Sequence, residues 1–154
     1  MATTTLDLAR ITTYRSPRES LKLLRTLEKM EHEAVSRVCL HNLLGTVLME
    51  LCRFQAAERH FGLAIQASRP HPEDPFAAYV MANRARHRFE VGLSGEAIRL
   101  NRTALSRFED RGDAANAGLV LCNMGIHAML QARYDEALDL FERSRQLSPR
   151  GTCL

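Results

Sequence analysis

The chain has 154 residues, 45% of them hydrophobic and 25% charged, with a formal net charge of +3. That length suits one compact core or a short solenoid, and the composition is that of an ordinary soluble protein. The charge is too mild to suggest the clustered basic face of a nucleic-acid binder, and no apolar run reaches the roughly 18 residues of a membrane helix.

Met1 to Arg15 is rich in threonine and weakly patterned, so residues 1–15 are expected to be a tail, with at most a helical turn around Leu6 to Ile11. It lacks the apolar run of a signal peptide, which leaves a cytoplasmic protein as the default expectation. Ser16-Pro17-Arg18-Glu19 starts a helix: Ser16 can cap, Pro17 suits the first position, and Glu19 would complete a capping box. Leu21, Leu24, Leu27 and Met30 then follow at a spacing of three, giving a leading helix over 16–31 with one apolar stripe.

A long helix is predicted from about Glu33 to Cys52, carrying Val35, Val38, Leu44, Val47, Leu48 and Leu51. Arg53-Phe54-Gln55 turns into a second helix that ends near Ser68, where Pro70, Pro72 and Pro75 break the pattern. Asp74-Pro75 caps and begins the next helix, which runs to about Val91. Gly92-Leu93-Ser94-Gly95 makes the following turn, with Ser94 as the expected cap. The partner helix holds Ala97, Ile98, Ala104 and Leu105. Arg111-Gly112-Asp113 ends it and caps a helix from Ala114 to Gln131. Arg133-Tyr134-Asp135 turns into a last helix that stops at Ser148-Pro149, and 150–154 is a second tail. No segment alternates with period two, so an all-α fold of about seven helices is expected.

The helices repeat. Shifted by 40 residues, Gly125 falls on Ala85 and then Gly45, Ala137 on Ala97 and Ala57, Phe141 on Asn101 and Phe61, and Ser144 on Ala104 and Ala64. Small residues recurring in register mark stacked supersecondary units, here about 33–69, 74–111 and 113–149. Glycine inside a helix costs about 1 kcal/mol relative to alanine. Two glycines at one register therefore point to a packing need, expected to be close backbone approach, with Phe61 and Phe141 filling the space between repeats.

This pattern resembles the tetratricopeptide repeat. The third unit carries Gly125, Tyr134, Ala137, Phe141 and Pro149 at the family's spacing, and the first carries Leu44-Gly45, Phe54, Ala57, Phe61 and Ala64. The middle unit departs from it, with Arg84, Arg88, Ser94 and Asn101 where apolar or aromatic residues are usual. The usual period is 34 residues. A period of 40 is similar to the longer-helix version found in sensor regions of bacterial signalling regulators and in some cytoskeletal adaptors. The resemblance implies a right-handed α-solenoid of antiparallel helix pairs and a non-enzymatic scaffold whose first helices line a concave groove for a peptide or helix of another protein.

On that resemblance, Asn83 and Asn123 face the groove one period apart, and Leu43 takes the matching place in the first unit. An amide offers both a donor and an acceptor and so can hold a peptide unit. Asn83, Arg86, His87 and Glu90 share a helix face, and Arg86 would suit a ligand carboxylate. Phe89, Ile126 and Met129 are the expected apolar contacts. The bland account of the same residues is a solvated face balanced by Glu90. Arg84 and Arg88 should lay their stems on apolar surface with the heads in water.

Tyr134, Leu138 and Leu147 lie where a following helix would cover them, so a homodimer through the last helix is the second partner expected. Against it, Asp139, Glu142, Arg143 and Gln146 make that face polar. Cys39, Cys52, Cys122 and Cys153 show no paired spacing, and those within helices should pack as small apolar residues in a reducing compartment. His87 and His127 fall one period apart, but no carboxylate or cysteine joins them at ligand spacing. No phosphate loop or catalytic triad pattern is present, and neither a cofactor nor a metal is expected.

Overall fold

A computed structural model of the chain describes residues 16–29, 34–70 and 75–147. Among these residues there are seven α-helices and no strand: α1 Pro17–Glu28, α2 Ala34–Glu50, α3 Phe54–Ser68, α4 Pro75–Glu90, α5 Ser94–Asp110, α6 Ala114–Leu130 and α7 Tyr134–Leu147. The fold is an all-α helical solenoid type, as the spacing predicts. The expected tails, the Asp74 cap, Met30, Pro72 and the Ser148-Pro149 stop lie outside the described residues. Two compact units are formed, one up to His87 and one from Arg88, with the boundary inside α4.

In the first unit, Leu21, Leu24 and Leu27 of α1 pack with Leu40, Leu44, Val47 and Leu48 of α2 and with Ala57 and Phe61 of α3. Helix α2 is buried on every side from Asn42 to Met49, as expected for a helix enclosed by neighbours. A smaller cluster joins Val38, Ala64 and Val80 from α2, α3 and α4. In the second unit, α6 packs between α5 and α7. Ala97, Ala104, Phe108, Val120, Leu121, Ala128 and Leu140 are buried there. The recurrent alanines Ala57, Ala97 and Ala137 are all buried.

The two glycines meet a packing need, though a different one from that expected. A Cβ on Gly45 would stand 2.7 Å from Phe61 Cε1, and one on Gly125 2.6 Å from Phe141 Cε1. Each glycine makes room for an aromatic ring of its own partner helix. The phenylalanines therefore fill space within a helix pair, where burying such a ring contributes about 2–3 kcal/mol.

Four turns share one construction. Arg53 N–H donates to Leu48 O (2.8 Å) and Cys52 N–H to Met49 O (2.8 Å). The same paired bonds recur as Leu93 to Arg88 and Gly92 to Phe89, Asp113 to Phe108 and Gly112 to Glu109, and Arg133 to Ala128 and Ala132 to Met129. These are Schellman turns, each needing one left-handed residue. Gly92 and Gly112 supply it, but so do Cys52 (φ 56°) and Ala132 (φ 59°), at the steric cost of a Cβ.

The helix starts depart from expectation at two serines. Ser16 stands at the cap of α1 and Pro17 at its first position, but Ser16 makes no side-chain cap hydrogen bond. Its carbonyl instead accepts from Glu19 and Ser20 N–H. The capping box is not made. Ser94 is the first residue of α5, and Leu93 occupies the cap without a side-chain acceptor. The Schellman turn fixes Leu93 in that place, which moves Ser94 one position too far in. Asp113 caps as predicted, accepting from Asn116 N–H at 3.2 Å. Cys122 is buried on α6.

Candidate functional site

The first helices of the first unit are joined by a polar ladder. Asn83 Nδ2 of α4 donates to Asn42 Oδ1 of α2 at 3.0 Å, and Arg86 Nη2 donates to Glu50 Oε1 at 2.5 Å. Asn42 is buried one turn before Thr46, whose hydroxyl donates to the Asn42 carbonyl at 3.0 Å. The sequence shift of 40 sets Leu43 opposite Asn83. In the folded chain Asn42, one residue before Leu43, is the side chain that meets Asn83. Which of the two neighbouring residues meets Asn83 is set by how α2 and α4 pack, and no local signal gives it. Arg86 is thus satisfied by Glu50, not by Glu90, which is exposed.

The arginines expected to reach into water are paired. Arg84 donates to both oxygens of Glu58, at 3.4 Å from Nε and 2.5 Å from Nη2. Arg88 Nε lies 3.2 Å from Glu96 Oε2. Their stems do lie on the molecule, but a glutamate of the following or preceding helix holds each head. Glu58 Oε2 is also 3.5 Å from His87 Nδ1. His87 Nε2 sits 3.0 Å from the Phe54 carbonyl, which can only accept, so Nε2 carries the hydrogen. The ring is buried beside Phe61, with centroids 5.7 Å apart. His87 is a packed structural histidine.

The second unit holds the other predicted groove residues. Phe89 stacks on His127 with centroids 3.8 Å apart and planes at 4°. That contact ties the end of α4 to α6. Asn123 is half-buried on α6, while Ile126 and Met129 are exposed. Leu119 and Leu130 are exposed as well and fall with Asn123 and Ile126 at helical spacing, so α6 carries one apolar stripe interrupted by an amide. Leu119 and Leu130 were not foreseen. Their spacing from Ile126 was in the sequence, but burial cannot be told from periodicity alone.

A small cavity of about 40 Å³ lies in the same unit, lined by Ile98, Asn101, Arg102, Met124, His127, Arg133, Glu136 and Leu140. Asn101 is 1% exposed, and neither atom of its amide has a hydrogen-bond partner. On α7, Tyr134 is 63% and Leu138 68% exposed. Leu147 is exposed too, but it stands nine residues past Leu138, half a turn round the helix. The three do not form one stripe. Between them Glu142 accepts from Arg145 at 3.0 and 2.6 Å, and the bond from Arg145 holds the Glu142 carboxyl below its usual range.

One titratable cluster escaped the sequence entirely. Glu28, His41 and His60 are far apart in the chain, yet helices α1, α2 and α3 bring their side chains together. Burial pushes the His60 imidazole below its ordinary pKa, opposed by the Glu28 carboxylate and aided by Arg59 and Arg25.

No family model and no curated protein matches the chain. Solved structures do. A STAND protein, a signal transduction ATPase with numerous domains, from Pyrococcus horikoshii has a tetratricopeptide repeat sensor. It is similar to 94% of this chain with a TM-score of 0.82 and 20% identity. The chain spans only 23% of that protein. BtubC (BKLC) from P. vanneervenii is similar over 97% of this chain and 72% of its own, at 16% identity and a TM-score of 0.74. MamA is similar over 97% of this chain and 79% of its own, at 15% identity and a TM-score of 0.66. At these identities the likeness shows the fold, a tetratricopeptide-like helical repeat. Among the described residues, no helix is long and apolar enough to cross a membrane.

Proposed function

We propose that the chain is a non-enzymatic scaffold that binds a peptide or helical segment of another protein in the cytoplasm, along a groove lined by its first helices. The observation that carries this reading is the α6 stripe, in which Leu119, Ile126 and Leu130 are exposed around Asn123. Isolated exposed leucines need no explanation, but an aligned row does. Apolar anchors flanking an amide suit a helix or extended segment, the anchors giving affinity and the amide fixing the backbone. In the first unit, Asn83 and Arg86 of α4 are already partnered by Asn42 and Glu50, so a ligand there would exchange for those contacts. The helix starts at Phe54, Ser94 and Tyr134 support the longer-helix version of the repeat.

Self-association through the last helix is the second reading, favoured by the exposure of Tyr134 and Leu138. A single comparison separates the two. The wild type and an Ile126→Glu, Leu130→Glu variant are used to capture partners from a lysate of the source organism, after circular dichroism shows equal helicity. Loss of a captured protein in the folded variant supports the groove. Equal capture overturns it, and a dimeric mass that Leu138→Glu makes monomeric moves the site to α7.

A further inference from the structure

His41 Nδ1 of α2 and His60 Nδ1 of α3 face each other at 3.2 Å. Glu28 Oε1, at the end of α1, is 3.8 Å from the same His60 nitrogen. The three ligating atoms all lie within 4.8 Å of one another, with both imidazoles partly buried and the carboxylate exposed. Two Nδ1 atoms can sit at this distance either by sharing one hydrogen or by sharing one cation. In a tetrahedral zinc site with Zn–N near 2.0–2.1 Å, two ligand nitrogens stand about 3.3 Å apart. The histidines already have that separation. The carboxylate, on an exposed side chain, closes the third corner by a small movement.

We propose that Glu28, His41 and His60 form a binding site for a divalent transition-metal cation of the zinc class, with water in the remaining position. Imidazole ligands select this class over magnesium or calcium, which take oxygen. Each ligand comes from a different helix, so the cation would staple α1 to the α2/α3 pair. Metal binding of that kind adds to folding stability because the site exists only in the folded chain. Arg25 and Arg59 act on His60 from nearby and oppose a cation, and Glu28 offsets them.

The test is a titration of the full chain, stripped with EDTA, with zinc chloride against a chromophoric zinc indicator. A thermal melt is recorded with and without zinc. The expected result is one equivalent bound per chain and a raised Tm. His41→Gln and His60→Gln should each weaken binding at least tenfold and abolish the rise in Tm. Glu28→Gln should weaken it several-fold. Cys52→Ser should bind as the wild type does, and magnesium should not bind. If the histidine variants lose helicity, Glu28→Gln decides, because that side chain is exposed. No zinc bound by the wild type, or the same affinity in Glu28→Gln as in the wild type, overturns the proposal.

Discussion

The ring of Phe61 lies against the α-carbon of Gly45, so closely that a Cβ there would come within 2.7 Å of it. The relationship sets two opposing effects against each other. Alanine is the better helix former by about 1 kcal/mol, but overpacking a filled core costs about 1–3 kcal/mol. Gly45→Ala is therefore expected to lower stability by about 1–2 kcal/mol in urea unfolding. Gly62→Ala, in α3 with nothing within 4 Å of its Cβ position, should raise it by up to about 1 kcal/mol. A Gly45→Ala, Phe61→Leu double variant should lose less than the sum of the single losses, since the smaller side chain removes the clash.

The turns give a second prediction. Ala132 is exposed and left-handed, with φ 59°. Removing its Cβ relieves about 1–2 kcal/mol of strain and concedes about 0.4–1 kcal/mol through a more flexible unfolded chain. Ala132→Gly should raise stability by a few tenths to about 1 kcal/mol. Gly112→Ala, at φ 67°, should lower it by about 1 kcal/mol. A lower melting temperature for Ala132→Gly would show that the strain is not there.

The same turns mark where sequence reasoning stopped. Element order, the glycine register and the Asp113 cap were legible because each rests on local chemistry: periodicity, a breaker, an acceptor in front of a helix. Cys52 and Ala132 were not, because neither residue type advertises a left-handed backbone. Asn42 was hidden by the way α2 and α4 pack, and the meeting of Glu28, His41 and His60 by the packing of three helices. Both are tertiary facts, set by how helices lie against one another and not by any residue's neighbours in the chain.

The caps separate a local signal that worked from two that did not. Asp113→Ala removes the acceptor for Asn116 N–H and also the 2.7 Å bond from Asn116 Nδ2. It should cost about 0.5–2 kcal/mol. Ser16→Ala and Ser94→Ala remove no side-chain cap bond and should leave stability within about 0.5 kcal/mol of the wild type. Thermal melts of the three variants side by side check the contrast, and a loss at Ser94 equal to that at Asp113 would refute it.

Asn101 offers the sharpest case. By register it stands where Phe61 and Phe141 stand in the other pairs, and it is buried with both amide atoms unpartnered. An amide buried in that way costs about 1–3 kcal/mol, while leucine, with the same branching though a larger volume, would bury apolar surface at no such cost. Asn101→Leu should therefore raise stability by about 1 kcal/mol or more in urea unfolding. The adjoining cavity of about 40 Å³ is the competing consideration. It exceeds the roughly 10–15 Å³ that a single water needs, and a water there could bond the amide and cancel the penalty. A gain on Asn101→Leu means the amide is unpaid for in the folded protein. A loss means ordered water holds it, and Asn101→Asp, which keeps the acceptors but adds a buried charge, should then be worse than leucine because desolvating a carboxylate outweighs any bond one water can return.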